Sequence, residues 1–426
     1  MTIISSLRYV LCVLLTFQQV FNLAFNFMPI RIRTLMALIG GYWLYKDWRS
    51  LTQSKQDKRL WKKLFFLLAI LVSVAFVTTI LNFYFDPYFF KYPFSVFISL
   101  SSSYCFLVLF GYLYRSHIEY DVILKYIVIA CLLQCIITVF FFIQPSIREF
   151  FYQFLVVSEM AQEAYDAMGE KANRFMGLGA NGFTGGVILA LAIFYTAILS
   201  RKSKSIIALS KYIILAIIIT FVGSAIARTT LVGLVIFIGY IGISKSFPVK
   251  SKLFLGGIFL CLLVIAIWIY VEYVESDPLF EAVFQRAFSM FYVFQNTGEM
   301  QGAEDFAGEA VYPSTFMTWI IGDGKMADPK DPLFAYYMHV DIGVWRVIFG
   351  IGIIGLIIYS LIQLFLCKLT KLGKLEYTLL FFFYVACMFK GIISFDVFLS
   401  PLIMVSIYNN IRSNKIKEAM KAGLKS

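Results

Sequence analysis

The sequence predicts an all-α polytopic membrane protein with about twelve transmembrane helices. Three observations carry the prediction. The chain of 426 residues is 60% apolar and 18% aromatic, with a mean hydropathy of +0.81. Only 15% of it is charged, against about a quarter in an ordinary soluble domain. Apolar runs long enough to cross a bilayer recur from end to end, and Lys and Arg gather in the short connections between them. The net charge of +12 is therefore a topology signal, and no nucleic-acid partner is expected.

The spans are expected at 5–25, 31–46, 64–83, 94–114, 121–143, 181–199, 206–223, 228–244, 253–273, 341–364, 377–391 and 395–411. The run from Val10 to Phe27 has no strong basic start and no small-x-small cleavage site, so it is read as a retained helix. The second and eleventh spans are short enough to be tilted or re-entrant. Basic clusters at Lys46–Lys63, Arg201–Lys211, Lys245–Lys252, Lys368–Lys374 and Arg412–Lys425 all fall on one side if both termini are cytoplasmic. The whole chain, 1–426, is read as a single transmembrane domain. Two long loops, 144–180 and 274–339, then face the outside. The second is acidic, with only Arg286, Lys325 and Lys330 as bases. Apolar residues at helical spacing over 147–168 predict an amphipathic helix on the outer membrane face, and 278–295 reads as another. The seven cysteines lie in or beside apolar runs, with neither a disulfide framework nor zinc-ligand spacing. No internal repeat is visible, which argues against many transporters.

Chemistry is expected at the outer ends of the spans. Arg174 precedes a glycine-rich opening to the sixth span, Arg228 opens the eighth, and His339, Asp341 and Arg346 open the tenth. Each of these spans presents its helix N-terminus outward, where unpaired amides and a partial positive charge attract anions. Glycines at 177, 179, 182, 185 and 186 let an oxyanion approach the backbone. Arginine adds bidentate geometry suited to phosphate. The pattern suits a strongly anionic head group such as diphosphate. On a helix, His339 and Arg346 would share one face. Plain structural roles compete with each assignment. Arg174 would snorkel, Arg346 would pair with Asp341 or a neighbouring helix, and Asp341 would cap the tenth span, whereas an outward Arg228 beside a helix start opposes the charge rule. Arg31 and Arg33 would anchor lipid head groups, and Arg286 and Lys325 would be ordinary loop charges.

These residues resemble the Wzy-type polysaccharide polymerases, often called O-antigen polymerases, and more distantly the O-antigen ligases. The likeness covers the whole chain: many spans, both termini inside and two substantial outer loops. Arg174 with Gly185 and His339 with Gly350 have the Arg-to-Gly and His-to-Gly spacings described for the family's two loops. Arg228 with Gly239 shares the spacing, and the run Asp341–Arg346 followed by Gly350–Leu356 is similar to the family's exit from its large loop.

The resemblance implies a GT-C-like membrane glycosyltransferase of lipopolysaccharide biosynthesis in the inner membrane. Its donor would be a glycan on undecaprenyl diphosphate, and its acceptor a single repeat unit on the same lipid. A chain-length regulator is an implied partner. Inverting transfer without cofactor or metal is expected. His339 would act as base, and Asp341 as fallback base or as orienter of the histidine. Arg174 and Arg228 would bind the diphosphate, with Arg346 and Arg286 next. The outer-loop aromatics, among them Trp319 and Tyr337, would stack on sugars. The alternatives are an O-antigen ligase acting on lipid A-core and a flippase for lipid-linked oligosaccharides.

Overall fold

The computed structural model describes residues 3–47, 55–156, 177–179, 182–203, 205–269, 313–327, 337–340 and 342–423. Among the described residues the secondary structure is helical, apart from one isolated bridge between Phe25 and Leu155. Helices occupy all twelve of the expected segments. Seven helices among the described residues are long and apolar enough to cross a membrane. The chain is an all-α membrane protein. It divides into two compact units: residues 1–22, 29–126 and 311–426 form the first, and 23–28 with 127–310 the second.

The first unit contains α1 (Ile3–Phe21), α2 (Ile32–Lys46), α3 (Lys55–Asn82), α4 (Tyr88–Tyr114) and the start of α5 (Tyr120–Ile143). Later in the chain it takes in the short α6 of this unit's loop (Phe316–Ile320), then α7 (Gly343–Leu369), α8 (Lys374–Met388) and α9 (Asp396–Gly423). Helix α4 is its hub, packing against α1, α2, α3 and α9. Its face is made for close approach. Ser99, Ser101, Ser102 and Ser103 are fully buried, and the α2 backbone meets them at Gly40, where any Cβ would run into the Ser101 carbonyl oxygen. Small residues let membrane helices approach until backbones touch.

Helices α2 and α8 have 15 residues each, about 22 Å of rise, which is short of a hydrocarbon layer of about 30 Å. Between α8 and α9 the chain runs irregularly through 389–395, yet Gly391, Ile393 and Phe395 are buried. Buried irregular backbone has to find its hydrogen bonds within the protein.

The second unit is built around the helix Gly182–Ser200, in which every residue from Gly185 to Ser200 is buried. It is flanked by Ile206–Ile226 and Thr230–Ile243, with Val249–Ile269 packed against both of those. Glycines again set the crossings: a Cβ on Gly233 would lie 2.5 Å from the Ala190 carbonyl oxygen. The helix Pro145–Tyr152 occupies the start of the expected amphipathic segment, and Phe150 and Phe151 are exposed on it. Residues 157–176 and 270–312, which include the other expected amphipathic helix, lie outside the described residues.

Gly40→Val and Gly233→Val should each lower the thermal unfolding midpoint in detergent, by an overpacking cost of about 1–3 kcal/mol. Gly256→Ala, where an added Cβ meets nothing within 4 Å, should leave the midpoint unchanged or raise it.

Candidate functional site

The N-terminal mouth of α7 is where the first unit's polar and aromatic groups converge. The helix does not run unbroken. Ile351 (φ −146°, ψ 16°) and Gly352 (φ 67°, ψ −177°) leave helical geometry, which corrects the continuous span expected at 341–364. The Gly352 conformation is open essentially to glycine alone. Into the break fits the segment 315–324. Thr315 caps its short helix by accepting the Thr318 N–H at 3.0 Å. Gly322 (φ 85°) then meets the α7 backbone so closely that a Cβ would lie 2.7 Å from the Ile351 and Gly352 nitrogens.

Several backbone groups of this arrangement have partners in the structure. The Phe349 carbonyl, whose regular helical donor would be four residues on, accepts the Asp323 N–H at 2.6 Å. Thr78 and Asn82 of α3 donate to the Ile321 and Gly322 carbonyls, both at 2.9 Å. The Asp86 carboxylate accepts the Met326 and Tyr88 N–H groups, each at 2.9 Å. Met326 in turn accepts the Tyr337 N–H at 3.1 Å and buries its side chain against Gly350.

Around this frame stand the functional groups. Trp319 meets Trp345 edge to face, with centroids 5.5 Å apart. Lys325 Nζ lies 5.6 Å from the Tyr84 ring centroid and 5.3 Å from that of Tyr337. Arg346 is half-buried in the first turn of α7, with its Nε shielded from solvent. His339 ends a short 3-10 turn, Tyr337–His339, in which Met338 is left-handed (φ 57°).

The helix begins only at Gly343, with Ile342 at its N-cap position and no side-chain cap. His339 therefore precedes the helix that carries Arg346, and the two do not share a helix face. The physical reason is packing. Val340 and Ile342 are both buried in a small core with Phe349. Gly343 then abuts the Gly391 backbone, where a Cβ would lie 2.7 Å from the Ile392 nitrogen.

A second polar cluster lies deeper in the same unit, and sequence reasoning passed over it. Asp396 is fully buried in the first turn of α9, where a carboxylate suits the helix dipole. Its Oδ2 accepts from Ser99 at 2.6 Å and from Ser95 at 3.2 Å, and its Oδ1 from Ser394. Arg33 donates to the same Ser99 oxygen at 2.5 Å, so the two opposite charges attract across one hydroxyl. The network continues through Tyr92 to Gln363, whose Nε2 donates to the Tyr92 hydroxyl at 2.7 Å and whose Oε1 accepts the Phe395 N–H at 2.8 Å. Tyr359 ties down the Ile393 carbonyl at 2.9 Å. These bonds fix the irregular segment 389–395 on which the start of α7 rests. Arg33 thus has a protein partner beyond any lipid head group. The legible signal was the serine-rich stretch Ser95–Ser103 inside an apolar span, facing an acid on another span.

In the second unit, Arg228 is exposed in the turn that opens the helix Thr230–Ile243. That turn touches the start of Gly182–Ser200: a Cβ on Gly186 would lie 2.7 Å from Ala227 Cβ and 3.4 Å from Thr229 Cβ. The glycine-rich start of one helix and the turn that carries Arg228 thus lie in contact. Gly177 instead packs against Gln134 and Thr138, a close-packing role. Arg174, Arg286 and Asp341 lie outside the described residues.

No family model, curated protein or solved structure matches this chain.

Asp396→Ala should destabilise the protein by about 3–5 kcal/mol, the usual cost of stranding one member of a buried charge pair, and Arg33→Met with Asp396→Met should recover most of the loss. Thermal unfolding of the purified protein checks this, and equal midpoints for Asp396→Ala and wild type would refute it. Gly352→Ala should cost at least about 1–3 kcal/mol through its backbone conformation alone, read by the same unfolding experiment.

Proposed function

We propose that this protein is a Wzy-type polysaccharide polymerase. It joins oligosaccharide repeat units carried on undecaprenyl diphosphate at the outer face of the cytoplasmic membrane. The observation that supports this best is the broken helix α7. Its mouth carries Arg346 and Trp345 beside a loop whose backbone is tied into the break and which bears Trp319 and Lys325, with His339 ending the turn just before the helix. Discontinuous membrane helices recur where proteins handle polar substrates at membrane depth. In this reading the chain crosses the membrane twelve times with both termini inside, and the mouth of α7 faces out.

The reaction has two demands. An acceptor hydroxyl attacks the donor's anomeric carbon with inversion while the bond to the diphosphate oxygen breaks. The hydroxyl proton passes to a base, and His339 is the candidate because an ordinary imidazole titrates near neutrality. Asp341 orients the histidine or replaces it. The leaving undecaprenyl diphosphate gains charge as its bond breaks, so cations set in place beforehand stabilise the transition state. Arg346 and Arg228 are candidates among the described residues, with Arg174 and Arg286 from the two loops. Arginine supplies the charge that other diphosphate enzymes take from a metal. The half-buried Trp319 and Trp345 offer apolar faces to a sugar ring.

The test is a surface-glycan gel from the host strain lacking the gene, complemented with wild type, His339→Ala or Arg346→Ala at matched protein levels. A polymerase predicts single repeats in the deletion strain and a restored ladder with wild type. His339→Ala should lower the rate of polymer formation about 10²–10⁴-fold, and Arg346→Ala about 10²-fold or more. Lipid-linked polymer that accumulates without reaching the surface core would instead identify a ligase. An unchanged ladder on deletion would sink both and favour a transporter.

A further inference from the structure

We infer that Lys325 is a phosphate-contacting residue of this site, supplying a point charge to the diphosphate of the lipid-linked substrate. The inference rests on the polymerase reading and adds to it a residue that looks in sequence like an ordinary loop charge.

Three features of the structure support it. The first is placement. Lys325 follows the Gly322-Asp323-Gly324 turn, which is locked from both sides. Gly322 abuts the Gly352 backbone, Asp323 N–H bonds the Phe349 carbonyl at 2.6 Å, and Met326 N–H bonds Asp86 at 2.9 Å. The ammonium is therefore carried on a backbone fixed to α7. Phe349 lies one helical turn beyond Arg346, and Tyr337 two residues before His339.

The second is the surrounding chemistry. Nζ stands 5.6 Å from the Tyr84 centroid and 5.3 Å from the Tyr337 centroid, inside the cation–π range of about 6 Å. Two ring faces hold the head in place and shed water from it, but they do not neutralise its charge. An ammonium has three donors in all directions, so a flanking pair of rings leaves N–H groups for an oxyanion.

The third is the state of the neighbouring acids. Asp86 is committed to the N–H groups of Met326 and Tyr88, and Asp323 accepts the Thr318 hydroxyl at 2.7 Å. Among the described residues, no carboxylate forms an ion pair with Lys325. A half-buried lysine on backbone tied to a broken membrane helix, with no carboxylate partner among the described residues, fits a ligand that brings its own negative charge. Diphosphate does so, and lysine binds it as a point charge where arginine binds it as a fork.

The test uses the full-length protein in lipid nanodiscs with labelled undecaprenyl diphosphate as the probe and inorganic diphosphate as competitor. Lys325→Met keeps the stem and removes the charge, and Lys325→Arg keeps the charge. Should Lys325→Met fail to fold, Lys325→Gln takes its place. Lys325→Met is expected to weaken lipid binding about tenfold or more, the usual worth of one charge-assisted hydrogen bond, with Lys325→Arg within about threefold of wild type. Inorganic diphosphate should displace the lipid from wild type and lose potency by a similar factor on Lys325→Met. Equal lipid affinity in wild type and Lys325→Met overturns the role of Lys325 and leaves the polymerase reading standing. If the lipid weakens but the competitor's potency is unchanged, Lys325 serves the prenyl chain and not the phosphate. Wild type that binds no undecaprenyl diphosphate removes the polymerase reading, and this inference with it.

Discussion

One constraint governs the first unit: inside a membrane, a backbone amide or carbonyl must be satisfied by protein. A break in α7 at Ile351–Gly352 would expose such groups. The segment 315–324 answers them with the Asp323-to-Phe349 bond and with glycine-on-glycine contact, and α3 answers the segment through Thr78 and Asn82. Helix break, docked loop and clamp form one object, and removing any part strands the polar atoms of the others.

The deeper cluster solves a related problem with charge. Taking Asp396 and Arg33 out of water costs several kcal/mol each. The cost is offset by their mutual attraction across Ser99 and by hydroxyls from Ser95 and Ser394. The bonds from Gln363 and Tyr359 then hold the irregular chain at 389–395, whose Gly391 supports the first residue of α7. The polar centre of the unit and the mouth of α7 are thus mechanically connected through a few residues. A group such as Asp396 can matter to activity without touching a substrate.

The candidate site was partly legible in sequence. Glycines at 350, 352 and 355, together with His339 and Arg346, marked the start of α7 as unusual. What they do there was not legible. Regular spacing suggested one face for His339 and Arg346, whereas Val340 and Ile342 turn into a core with Phe349 and delay the helix to Gly343. Lys325 looked like loop charge because its two tyrosine partners lie far off along the chain, at 84 and 337. Arg33 and Asp396 looked unrelated for the same reason.

Composition and periodicity by themselves determined the class of this protein and the location of its helices. Burying apolar side chains at a regular spacing is a local property, written residue by residue along each span. Tertiary structure alone decided that one span would break, which loop would enter the break, and which distant charges would share a hydroxyl. Those outcomes depend on satisfying individual polar atoms, and the partner that satisfies each one, such as Asp323 for Phe349 or Ser99 for Arg33, is chosen by three-dimensional proximity and not by position in the chain.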